Sequence, residues 1–269
     1  MKINTDGISI NYEIAGEGDC LILIHGFSDN LTMWYNQVPE FSKRYRVLTL
    51  DVRGHGETEA PEGEFSITLF AKDLRELLSA LHIERACVLG YSMGGRIALQ
   101  FALDYPEMVS GLVFANSGIA GVDYQVDEEQ MKEMMERRQQ MIEMFKTADI
   151  ELIADTMAER SMSPGMRDTD PALFQKYKEI KMKNSPKYYT PIMQAMMTAA
   201  ADPPDLSRLK CPVLIIAGER DGFMPLDLAE YMKKTIRRAN LKVFPTGHAS
   251  ALETPKEFNQ AVLDFMREL

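Results

Sequence analysis

Gly90-Tyr-Ser-Met-Gly94 is the pentapeptide of this chain with the clearest chemical meaning. It separates a short apolar run, Ala86–Leu89, from a stretch of helical spacing, Met93–Leu103. A strand that turns sharply into a helix strains the backbone of the central serine and lifts its hydroxyl clear of the sheet. Glycine at 90 and 94 keeps Cβ atoms out of that crowded turn. Ser92 is then a nucleophile for acyl transfer, provided that a base removes its proton. The N–H of Met93, at the helix start, supplies partial positive charge for an oxyanion.

The base is found by elimination among four histidines. His25 ends an apolar run, His55 lies in Arg53-Gly-His-Gly56, and His82 is polar punctuation after a helix. His248, in Pro245-Thr-Gly-His248, alone follows the serine at the C-terminal end of a predicted strand. An acid between the two, on another loop after a strand, would accept the imidazole Nδ1–H and fix its tautomer. Ala217-Gly-Glu-Arg-Asp221-Gly222 offers Asp221, deeper in its turn, with Glu219 as the rival. A second oxyanion donor is expected after the Cys20–Ile24 run, where the amide of Phe27 follows His25-Gly26.

The elements that must position these groups can be read from periodicity. Ile8–Ile14 alternates as an edge strand would, and Cys20–Ile24 is continuously apolar, as a strand covered on both faces is. Tyr45–Leu50, Ala86–Leu89, Val109–Ala115, Pro212–Ala217 and Leu241–Phe244 are further strands. Helices are expected over Ser66–Leu81, Met93–Leu103, Leu226–Ile236 and Pro255–Leu269, with Ser66 as N-cap. This alternation predicts an α/β fold, a mostly parallel sheet with helices on both faces. It stops for about eighty residues, where only helical patterns occur, broken at Ser163-Pro-Gly165, Pro171 and Pro186. The core is therefore expected in two parts, residues 1–120 and 204–269, with a helical lid over 121–203 lying across the carboxyl ends of the strands.

Twelve of the 19 methionines lie between Met131 and Met197. Met131, Met134, Met135, Met141, Met144 and Phe145 recur at helical spacing, as the apolar face of an amphipathic helix would. Their concentration exceeds what packing requires, and methionine favours adaptable surfaces. An apolar acyl pocket under the lid is expected, with Tyr188, Tyr189, Met193, Met196 and Met197 as lining.

The net charge of -10 disfavours nucleic acid and anionic membrane surfaces as partners, leaving a small, apolar acyl compound as the expected one. The opening residues turn polar before any apolar leader forms, so a cytoplasmic location is expected. Cys20, Cys87 and Cys211 have no metal or redox spacing and are expected as unpaired, buried thiols.

His25-Gly-Phe-Ser28 with Trp34, Asp51-Val-Arg-Gly-His-Gly56, Gly90-Tyr-Ser-Met-Gly-Gly95, Gly218-Glu-Arg-Asp221 and Gly247-His248 resemble the α/β-hydrolase family in five successive places. The resemblance spans nearly the whole core and leaves out the lid. It implies the roles given above for Ser92, Asp221, His248, Phe27 and Met93, no metal and no organic cofactor. It also implies that Asp51, Arg53 and His55 are mainly scaffold. Gly90-Tyr-Ser-Met-Gly-Gly-Arg96, with Gly54-His-Gly-Glu-Thr58, is similar to the menaquinone-pathway synthases that make 2-succinyl-6-hydroxy-2,4-cyclohexadiene-1-carboxylate. That likeness implies a substrate-carboxylate role for Arg96, against the plainer expectation of a helix-face ion pair.

The expected reaction is hydrolysis of a carboxylic ester, lactone or thioester through an acyl-enzyme on Ser92. Cleavage of a carbon–carbon bond in a vinylogous diketone, or a synthase-like elimination, uses the same parts. Dehalogenase and epoxide hydrolase branches are disfavoured, because they place aspartate where Ser92 stands. A ligand-binding protein on the same fold is the non-enzymatic alternative.

Overall fold

The structure, a computed structural model, describes residues 1–58, 60–61, 63, 65–119, 128–199 and 204–269, without the side chains of residues 128, 130, 131 and 134. Eight strands form one sheet: β1 (Lys2–Thr5), β2 (Ile8–Ala15), β3 (Cys20–Ile24), β4 (Arg46–Leu50), β5 (Ala86–Tyr91), β6 (Val109–Ala115), β7 (Val213–Gly218) and β8 (Ala239–Phe244). Their order is β1-β2-β4-β3-β5-β6-β7-β8. β1 and β2 run antiparallel to their neighbours, and β4 to β8 pair in parallel through β3.

The expected edge strand is not at the edge. β1 pairs along β2 through a hairpin whose turn is Asp6-Gly7, with Gly7 at φ 79°. Asp-Gly between alternating residues is a strong hairpin signal, and here the glycine takes the one positive-φ position of the turn. The pattern of Ile8–Ile14 reflects one covered face, not a free edge.

The helices, in chain order, are α1 (Val38–Phe41), α2 (Ile67–Ala80), α3 (Met93–Asp104), α4 (Glu128–Thr147), α5 (Ile150–Ser161), α6 (Met166–Thr169), α7 (Pro171–Met182), α8 (Tyr189–Ala199), α9 (Leu226–Thr235), α10 (Ser250–Glu253) and α11 (Pro255–Arg267). Ser66 caps α2, accepting from Leu69 N–H at 3.0 Å. α4 to α8 are inserted between β6 and β7, and the described residues there contain no strand. None of the described helices is long and apolar enough to cross a membrane.

Alternate strand residues face two core layers. Ile22, Ile24, Val88, Leu112, Phe114 and Ile215 meet the apolar faces of α2, α3 and α9. Leu21, Leu23, Cys87, Leu89, Val113 and Ile216 meet α11 and the buried Trp34 and Phe41. The inserted helices divide between these layers. α8 sends Tyr189, Ile192 and Met193 to the first, and α7 sends Phe174, Tyr177 and Ile180 to the second. Met131 and Met134, expected in an apolar stripe, lie outside the described side chains, and Met135 is 58% exposed. Met141 and Phe145 are buried as expected.

α3 begins in contact with the end of β3. A Cβ at Gly94 would lie 2.4 Å from the carbonyl oxygen of Ile24 and 2.6 Å from that of His25. Both are backbone atoms, at and just past the end of β3, and cannot step aside. Gly94→Ala is expected to lower stability by about 2–4 kcal/mol, measured by urea denaturation against wild type.

Candidate active site

β3, β5, β6, β7 and β8 are parallel neighbours, so their carboxyl ends share one rim of the sheet. Phe27 follows β3, Ser92 follows β5, Asn116 follows β6, Asp221 follows β7 and His248 follows β8. Residues scattered over 222 positions of sequence therefore meet at one edge, the ligand-binding edge of open α/β sheets.

Ser92 has φ 51° and ψ -116°, a conformation that L-residues rarely adopt. Its N–H donates to Ala115 O at 3.0 Å, and its carbonyl accepts from Ser117 Oγ at 2.6 Å. A Cβ at Gly90 would lie 2.2 Å from Gly94 O, so the turn closes only around glycine. The strand-to-helix turn expected around the serine is present.

His248 Nδ1 lies 2.8 Å from Asp221 Oδ2. Asp221 Oδ1 also accepts from Phe223 and Met224 N–H, at 2.8 and 2.9 Å, and Oδ2 accepts from Asn116 Nδ2 at 3.2 Å. Burial pushes the Asp221 carboxyl up, but the His248 ring and the amides of Met224 and Phe223 outweigh it, leaving it below its ordinary value. Glu219, the rival acid, is exposed. The His248 ring packs against two aromatic rings, Tyr91 at 5.1 Å and Phe223 at 5.0 Å. Tyr91 immediately precedes Ser92, so the imidazole packs against the residue next to the serine. No hydrogen bond joins the Ser92 hydroxyl to His248. Catalytic hydrogen bonds are often long without substrate and tighten in its complex.

The turn after β3 is held by two buried histidines. His25 Nδ1–H donates to Gly26 O at 2.8 Å and its Nε2 accepts from Val52 N–H at 2.9 Å. His55 Nε2 accepts from Ser28 N–H at 3.3 Å. Each ring then donates through one nitrogen and accepts through the other, as a neutral imidazole does. Asp51 accepts from Asn11, Leu31 and Glu57, and Arg53 makes a two-pronged bond to Asp73, so both are scaffold for this turn. Neither the Phe27 nor the Met93 N–H has an acceptor among the described residues.

The expected pocket lining is brought together only in part. Tyr189 is fully buried, 5.0 Å from the Phe27 ring and 5.2 Å from that of Phe145, and Met193 and Met196 join the same cluster. Tyr188 borders the same cluster, but it also exchanges hydrogen bonds with Ala60 and packs on Phe65. Met197 is 37% exposed. Residues 189, 193 and 196 follow one stripe of α8, Met197 stands at that stripe's exposed margin, and Tyr188 precedes the helix.

Arg96 makes no helix-face ion pair. Its Nη2 donates to Met196 O at 2.8 Å, and no carboxylate partners it among the described residues. Burial, with help from Arg138, pulls its pKa down to about 10. The sequence reading missed Asn116. Its one signal is position, since it follows a buried strand as Ser92 and Asp221 do. Among the described residues no group of three or more His, Cys, Asp and Glu side chains could hold a metal ion.

Residues 19–255 match the profile of the alpha/beta hydrolase fold. The chain belongs to the α/β-hydrolase family. It is 29% identical over 267 residues to 3-oxoadipate enol-lactonase 2 of Acinetobacter baylyi, covering 98% of this chain and 96% of that one. It is 30% identical over 281 residues to the 2-hydroxymuconate semialdehyde hydrolase of a Pseudomonas species, covering 99% and 93%. Among solved structures, a thermophilic esterase from Thermogutta terrifontis superposes with a TM-score of 0.86 at 27% identity, covering 100% and 98%. This α/β-hydrolase thus carries a strained Gly-x-Ser-x-Gly turn and a bonded His–Asp pair on one rim of its sheet.

Burial pushes His25 down to about 4 and His55 to about 3, from an ordinary 6.5. The unfolded chain therefore takes up protons below pH 6.5 that the folded hydrolase refuses. Their share of the stability is full above pH 6.5 and is lost as pH falls toward 4. In urea unfolding between pH 6.5 and 5, His55→Gln is expected to flatten the pH dependence by about 1 kcal/mol per pH unit. An unchanged slope would show that His55 titrates normally in the fold.

Proposed function

We propose that this protein is a serine hydrolase that cleaves a carboxylic ester or lactone through an acyl-enzyme on Ser92. The observation that carries this reading is the left-handed Ser92 turn on the same rim as an imidazole already bonded to a buried carboxylate. Ser92 Oγ attacks the carbonyl carbon while His248 Nε2 takes its proton. Asp221 keeps the Nδ1–H bond and stabilises the imidazolium. The oxyanion is received by the N–H groups of Phe27 and Met93. Collapse expels the alkoxide, which His248 protonates, and water then attacks the acyl carbonyl with His248 again as base.

Phe27, Phe145, Tyr189 and Met193 supply an apolar wall for the acyl group, and the unpartnered Tyr189 hydroxyl gives that wall one polar atom. Arg96 has guanidinium donors to spare for an anionic substituent. A carbon–carbon bond next to a carbonyl is the second reading, supported by the likeness to 2-hydroxymuconate semialdehyde hydrolase. Three unpaired cysteines agree with a reducing, cytoplasmic setting.

A fluorophosphonate is expected to label the wild type and not Ser92→Ala, while Asp221→Asn lowers kcat by about 10⁴-fold. Folded wild type that takes no label would instead indicate a binding protein. Against p-nitrophenyl esters, butyrate and hexanoate should be turned over as well as acetate; activity confined to acetate would remove the apolar acyl site from the proposal. Arg96→Met should raise KM about 10–100-fold for esters that carry a free carboxylate and leave neutral esters unchanged.

A further inference from the structure

Lys181 is the penultimate residue of α7, and its side chain is 1% exposed, as is that of its partner Asp29. A buried ion pair contributes little net stability, because desolvation consumes most of the attraction. Its placement is therefore the informative feature. Lys181 Nζ donates to Asp29 Oδ1 at 2.8 Å and to Ser28 Oγ at 3.2 Å, and it lies 4.1 Å from the centre of the Tyr177 ring. Tyr177 donates to Asp29 Oδ2 at 3.3 Å, and its hydroxyl is 3.5 Å from that of Tyr91.

The backbone is gripped as well. Asn184 Nδ2 donates to Ser28 O at 3.0 Å, and Asn30 Nδ2 donates to Ile180 O at 2.7 Å. Residues 28–30, immediately after Phe27, are thus fastened to the inserted helix α7. Tyr91, immediately before Ser92, touches the same cluster. Ser28 has φ 62°, a left-handed conformation that persists in a non-glycine residue only where the surroundings enforce it. The cluster enforces it together with His55, whose Nε2 accepts the Ser28 N–H at 3.3 Å.

We propose that Lys181 is a positioning residue: through Asp29 and Ser28 it sets, from the inserted helices, the direction of the Phe27 N–H toward the oxyanion. The proposal rests on the acyl-enzyme reading. Without Lys181, Asp29 is a buried carboxylate lacking its counter-ion and the left-handed turn relaxes. The amide next to it then shifts relative to Ser92. Such a donor acts through placement, and a displacement of about 1 Å costs about 100-fold in rate.

The test compares wild type with Lys181→Met and with the double variant Lys181→Met/Asp29→Asn. Thermal unfolding, ester hydrolysis per fluorophosphonate-titrated site and inhibition by an aryl boronic acid are measured for each. The single variant is expected to lose both Tm and kcat. The double variant leaves no unpaired charge, so it should recover most of the Tm. Its kcat per titrated site should nevertheless stay down about 100-fold, with KM within about twofold of wild type. Affinity for the boronic acid, whose serine adduct places an oxygen where the oxyanion forms, should fall in step with kcat/KM. A double variant with wild-type kcat per titrated site and undiminished boronic acid affinity would overturn the proposal and leave the pair a packing device. Folded wild type that neither labels nor hydrolyses esters would overturn the acyl-enzyme reading first, and this proposal with it.

Discussion

The close approach of α3 to the ends of β3 and β5 is the constraint on which the rest of the site depends. It requires glycine at 90 and 94, and it drives Ser92 to positive φ, at a cost on the order of 1–3 kcal/mol. That strain is carried by β6. Ala115 accepts the Ser92 amide, and Ser117 donates to its carbonyl. Asn116, between them, is itself left-handed at φ 46° and donates to Asp221 Oδ2 and to Gly247 O at 3.3 Å. Three consecutive residues thus join the serine's backbone to the acid and to the loop of the imidazole. The candidate nucleophile, acid and base form one strained unit anchored at the end of a central strand.

Charge inside this unit is used sparingly. The chain carries a net charge of -10, yet among the described residues most buried ionisable side chains have a named hydrogen-bond or ion-pair partner. His25 and His55 are kept neutral by burial and serve as hydrogen-bond spacers under the Phe27 turn. Asp221 is buried but receives four donors, which offsets the loss of water. Lys181 is buried too, and Asp29 with Tyr177 raises its pKa despite that burial. Arg96 is the exception, mostly buried with one backbone acceptor, and it lies one helical turn beyond Ser92.

The mostly parallel sheet and the loops that follow its strands were legible in the sequence because their signals are local. A buried strand followed at once by Gly-x-Ser-x-Gly announces its own geometry, and Asp221 and His248 each stand just past an apolar run. The edge assignment of Ile8–Ile14 failed although Asp6-Gly7 was there to be read as a hairpin turn. The apolar cluster around Tyr189 was read only in part, since a run of apolar residues does not say which face of α8 turns inward. The Lys181–Asp29 pair, 152 residues apart in sequence, left no local trace. Its members look like an ordinary helix-end lysine and a loop aspartate until the fold brings them together.

Glu253 gives this arrangement a mechanical consequence. Its carboxylate accepts from Gly247 N–H at 3.1 Å, beside His248, and from Ser163 N–H at 3.2 Å and Ser163 Oγ, just past α5. Ala249 N–H adds a bond to Ser161 O at 2.9 Å. The end of α5 and the histidine loop therefore travel together: a swing of that helix would drag the imidazole off its acid. With α5 tethered there and α7 tethered at Asp29, two of the inserted helices are each fastened to a loop that carries a candidate site residue.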